Sequence, residues 1–254
     1  MTRLNSKYTR VYANGYDVSG VATNIGTVGV EVDEASGAAY SDEVVNIILG
    51  NSSMKCGPIN AFLSPSVATG LHELMSAGNV IQNIMIPFGA VADPTVGMPC
   101  FAWTMQQGSY QANGDGIVGV TINYPQASYS TVKGYDNPFG LLVHAKGAET
   151  AANTAIGTID NGASSAKGGI FSWQLFSSDG TCTLSIDDSA TNLNNAAFAA
   201  LSGATSGEID ATTTPASGMV ALAKTATVRQ YLRWQIALNS ATTATFALAF
   251  IRGT

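Results

Sequence analysis

The chain has 254 residues, of which 46% are hydrophobic and only 11% charged, against roughly 25% charged in an ordinary soluble domain. So apolar a composition excludes a disordered chain; Ala, Gly, Ser, Thr and Asn stand where charge is missing, as on a surface that neighbours cover. The net charge of −6 divides unevenly, 6 basic against 11 acidic residues up to position 150 and 5 against 6 beyond it, with no basic cluster to read nucleic acid and no apolar run of about 18 residues to span a membrane.

The opening residues, Met1 to Tyr8, hold no apolar stretch of the kind a signal peptide needs. Tyr8 to Val18 is predicted to form two short strands about a tight Asn14-Gly15 turn. Asn24 to Val32 alternates as a strand does, an acidic loop follows from Asp33 to Gly37, and Val44 to Leu49 resumes as a strand. A helix is expected between Ile59 and Asn79. Ser64 suits its N-cap and Pro65 its first position; Val67, Leu71, Leu74 and Met75 recur at helical spacing, and Gly78 closes it. Strands are then predicted at Val80–Phe88, Met98–Gln107 and Ile117–Tyr124, which makes residues 1–150 an α+β, mostly antiparallel domain with one flanking helix.

Residues 151–168 break the pattern with small polar residues and read as a linker or extended arm. From Gly169 onward the signal is purely β. Ile170 to Phe176 leads into a Ser178-Asp179-Gly180 hairpin turn. Cys182, Leu184 and Ile186 then alternate with polar residues, as do Leu232, Trp234, Ile236 and Leu238. Phe246, Leu248 and Phe250 do so after a turn at 239–243. Strands with one apolar face at this spacing make residues 169–254 a β-sandwich, jelly-roll or immunoglobulin-like. The fold class is therefore mainly β.

No catalytic constellation emerges, so no enzyme, metal or other cofactor is expected. His72 and His144 lack a second ligand at metal spacing. Asp187 and Asp188 are adjacent on a strand, so they point to opposite faces and cannot oppose each other across a cleft. Cys56, Cys100 and Cys182 are odd in number without paired spacing; they read as free buried thiols of a protein made in a reducing cytoplasm. The run Glu31, Asp33, Glu34, Asp42 and Glu43 is a solvated loop unless copies of the chain form a ring, where a modest cluster becomes a strong field.

Several segments resemble the tail tube (major tail) proteins of tailed bacteriophages. Val11-Tyr12-Ala13-Asn14-Gly15-Tyr16-Asp17-Val18-Ser19-Gly20 is similar to the start of that family. Gly70-Leu71-His72-Glu73-Leu74-Met75 with Val80–Phe88 resembles its helix-then-strand core, and Thr227–Trp234 with Thr245–Phe250 resembles a β-sandwich appended to several members. The resemblance implies a virion structural protein, made in the host bacterial cytoplasm, that forms hexameric rings. The rings stack, meet other virion proteins, and pass DNA through an acidic lumen without binding it specifically. Glu31, Asp33, Glu34, Asp42 and Glu43 would lie in the lumen or stacking loop. Two alternatives stand beside it. One is a trimeric capsid decoration (cement) protein. The other is a carbohydrate-binding module that uses Trp173, Trp234 and Tyr231, with Tyr231 and Arg233 on the exposed face of the sandwich.

Overall fold

The structure, a computed structural model, describes residues 6–36, 47–62, 76, 80–115, 117–124, 126–127, 135–155 and 159–254. In chain order its strands are β1 (Tyr12–Ala13), β2 (Tyr16–Asp17), β3 (Ala22–Ile25), β4 (Val28–Ser36), β5 (Ile47–Phe62) and β6 (Ile81–Pro87). Next come β7 (Pro99–Gln106), β8 (Ser109–Asp115), β9 (Ile117–Tyr124), β10 (Gln126–Ala127), β11 (Phe139–Glu149) and β12 (Ile159–Asp160). The last are β13 (Gly169–Ser178), β14 (Thr181–Ser189), β15 (Ala199–Asp210), β16 (Ala216–Ala221), β17 (Tyr231–Leu238) and β18 (Ala244–Arg252). The chain is mainly β, as its alternating patterns require. The expected helix from Ser64 to Gly78 lies outside the described residues, apart from Ser76, which is helical.

Three antiparallel sheets form among the described residues. Nine strands make the largest, in the order β16-β13-β18-β11-β7-β6-β1-β2, with β10 also on β7. A four-stranded sheet runs β12-β17-β14-β15, and a five-stranded one runs β3-β5-β9-β8 with β4 on β5. At the far end of the large sheet, Asn14 and Gly15 have φ of 49° and 82°, the doubly positive turn whose twist suits a two-residue hairpin. The sheet curls until this turn meets β13 and β16. A side chain at Gly15 would place Cβ 2.7 Å from the Ala216 carbonyl oxygen and 2.8 Å from that of Leu175. The Gly15 N–H donates to Gln174 Oε1. Gln174 Nε2 donates to the Asn83 carbonyl at 2.9 Å, and Asn83 Nδ2 donates to Ser217 Oγ at 3.1 Å.

Two hydrophobic cores lie on opposite sides of the large sheet, and β18 belongs to both. Phe246, Leu248 and Phe250 enter one, the second core, with Phe171, Trp173 and Leu175 of β13 and Leu184 and Ile186 of β14, while the first core lies on the far face. Ala247, Ala249 and Ile251 face the other, with Tyr12, Ile84 and Trp103. β11 pairs with β18, and Val143 of β11 is part of the second core, so the large sheet runs continuously past residue 150. Beyond it, β12 docks on β17, and Ser165 bridges to Val228. All three cysteines are free and buried; burial raises the thiol pKa to about 12 at Cys56 and about 11 at Cys182.

Three expectations are corrected. Asp33 and Glu34 belong to strand β4 rather than to a loop, because β5 supplies a backbone partner along its length. β5 is also much longer than Val44 to Leu49. It runs on through Gly50-Asn51-Ser52-Ser53 to Phe62, since ladder bonds depend on neighbours more than on side-chain type. Thirdly, Asp179-Gly180 is not a hairpin turn. β13 pairs with β16 and β18, whereas β14 pairs with β15 and β17. The chain crosses there from one sheet of the sandwich to the other, because Leu175 and Leu184 must enter one core from opposite walls. The 239–243 segment makes the return crossing and is tied to the first. Asp179 accepts the N–H groups of Thr242 at 2.8 Å and Thr243 at 2.9 Å and the Thr242 hydroxyl. These bonds hold its carboxyl pKa down at about 2.

Candidate assembly surfaces

Glu31, Asp33 and Glu34 lie on a distinct piece of architecture. β5 has sixteen residues. Its last seven, Cys56 to Phe62, pair with β9, and β3 joins the other side at Ile59 to Ala61. Residues 47–55 pair only with β4 among the described residues. The result is a two-stranded ribbon that runs on from the five-stranded sheet for about 30 Å at strand rise. Glu31 stands opposite Ser53 and Glu34 opposite Leu49, with a register shift between Val32 and Glu34, across Asp33. Asp42 and Glu43 fall in the connection between the strands, outside the described residues. An isolated two-stranded hairpin is marginally stable in water, and its outer edges carry unpaired backbone donors and acceptors.

On the sandwich, the expected exposed pair separates. Tyr231 is half-buried, but Arg233 is only 5% exposed. Arg233 does lie on the face away from Leu232 and Ile236, yet the 190–198 segment covers that face. Its guanidinium donates to Asp187 Oδ2 from Nε at 3.1 Å and Nη2 at 2.7 Å, and from Nη1 to Asn195 Oδ1, while lying 4.6 Å from the Phe198 ring centre. Trp173 is buried against Gly218, where any side chain would strike the indole, and Trp234 is half-buried against the second core.

Asp187 and Asp188 diverge as adjacent strand residues should. Asp187 takes Arg233 and Gln235, and Asp188, buried, accepts the Arg229 N–H at 2.8 Å. His144 is buried between Phe246 and Trp234, and His72 lies outside the described residues. Among the described residues no three His, Cys, Asp or Glu side chains gather as a metal would need, and no helix is long and apolar enough to cross a membrane. A cleft of about 520 Å³ is lined by Lys7, Arg10, Ser19, Asn24, Val28 and Phe88 among others, but no carboxylate, histidine or thiol is part of that lining.

No family model and no curated protein matches this chain. Solved structures do resemble it. One is the SPP1 Dit (gp 19.1) protein, described as a paradigm of the hub adsorption apparatus in phages that infect Gram-positive hosts. It is 10% identical with a TM-score of 0.31, over 96% of this chain and 98% of that one. The phage P2 baseplate in its activated conformation is similar at 8% identity in two forms. With Ca the TM-score is 0.32 over 96% of this chain, and with Sr it is 0.29 over 97%; each covers 98% of the other chain.

Proposed function

We propose that this chain is a non-enzymatic structural subunit of a tailed-phage virion that works by assembling with copies of itself, most specifically as a tail tube subunit. The observation that carries the proposal is the β4–β5 ribbon. Its strands have only each other over residues 47–55 among the described residues, so a neighbouring subunit is the natural cover for its open edges. The scarcity of charge, 11% of residues, fits a chain whose surface is largely covered by such neighbours.

The ribbon carries Glu31, Asp33 and Glu34, and in a closed ring each recurs once per subunit. A lumen lined in this way repels the phosphate backbone, which lets DNA slide past without sticking. The C-terminal sandwich, near neutral in its charge balance, sits outside that ring.

Reversing Glu31, Asp33 and Glu34 together to Lys tests the lumen. Assembly is expected to persist while genome ejection slows, because each subunit then presents cations to passing DNA. Native ejection kinetics in the triple variant would remove the residues from the lumen. Loss of assembly would place them at a contact between subunits.

A further inference from the structure

β11 is irregular on both sides of His144, with register shifts between Leu142 and His144 and between His144 and Gly147. The imidazole is 5% exposed. It stacks on Phe246 of β18, ring centres 4.2 Å apart, and meets Trp234 of β17 edge-on at 4.7 Å. His144 therefore bridges the two sheets of the sandwich.

Both of its ring nitrogens face acceptors. Nδ1 lies 3.2 Å from the Phe246 carbonyl oxygen and Nε2 lies 3.0 Å from Glu149 Oε1. A carbonyl and an ionised carboxylate only accept, and a neutral imidazole has a single N–H. One contact thus lacks a hydrogen unless the pair holds an additional proton. The Glu149 side chain is 33% exposed, so it has water to turn to when that proton leaves. We propose that His144 and Glu149 form a proton-operated clasp on the inter-sheet contact with Trp234, closed when a proton sits between Nε2 and Oε1 and released when it is lost.

The charges around the ring are few. Glu149 stands on the same strand, β17 brings Trp234 and β18 brings Phe246, neither of which ionises. Lys146 is turned to Asp17 at 2.7 Å, and Arg233 is held by Asp187. Burial pulls the imidazole pKa below its ordinary 6.5, while Glu149 and the Phe246 carbonyl pull the other way. Loss of the additional proton leaves the single N–H on Nδ1, toward the buried Phe246 carbonyl, so the clasp opens as pH rises and closes on acidification. The folded chain binds this proton less readily than the unfolded chain. Acidification below the ordinary histidine range therefore costs stability, which the Glu149 bond partly restores.

Ring-nitrogen NMR of the intact protein tests this, since only His72 and His144 contribute imidazole signals. In the native chain a solvent-protected Nε2–H of His144 is expected to appear on acidification, with the Trp234 indole resonance shifting at the same midpoint. Glu149→Gln is expected to move that midpoint further down, because the amide can donate to the neutral ring. An unchanged midpoint in the variant would overturn the clasp. So would a native His144 that takes up its proton without an Nε2–H signal or a response at Trp234.

Discussion

Arg233 shows how much of a side chain's setting comes from residues distant in sequence. Its fork takes Asp187 through two nitrogens and Asn195 through the third, and its guanidinium carbon lies over the Phe198 ring. Removing one partner of a buried pair leaves the other charge unpaired, at a cost of about 3 kcal/mol. Arg233→Ala is therefore expected to lower unfolding free energy by that order in a denaturant titration. Arg233→Lys should recover only part of it, since an ammonium lacks the planar fork that reaches Asp187 and Asn195 together. Native stability in the alanine variant would mean that Arg233 faces solvent. Alternation along β17 was enough to place Arg233 opposite Leu232 and Ile236. The cover over it was not legible, because an Asn-rich segment such as 191–195 has no period that tells where it will lie.

At the scale of elements, β18 decides how the molecule holds together. Phe250→Ala empties part of the second core and should cost about 3–5 kcal/mol. Ala249→Leu overfills the first and should cost about 1–3 kcal/mol. Both changes are expected to lower one and the same calorimetric transition, because one strand walls both cores. A variant that splits the transition in two, with only one half displaced, would show that the cores melt separately. The alternation of Phe246, Leu248 and Phe250 was readable as one buried face. The other face consists of Ala247, Ala249 and Ile251, and alanines are too small to signal burial against a second layer. The Asp179-Gly180 signal gave a reversal of the chain but not its partner strands, which the shared core chose.

For the whole molecule, the open ends of the ladder matter most. The large sheet curls until the Asn14-Gly15 turn seats on β13 and β16, and a sandwich is built on its opposite face. Among the open edges of the described fold is the ribbon of β4 with residues 47–55 of β5, whose strands pair there only with each other. The acidic residues were visible in the sequence, but their ribbon was not, since Gly50-Asn51-Ser52-Ser53 reads as a loop until its partner is known. Electron microscopy of the purified native chain at raised concentration tests the assembly claim most directly. Closed rings, or hollow tubes of stacked rings, are the predicted result, and a protein that stays monomeric at every concentration would contradict it.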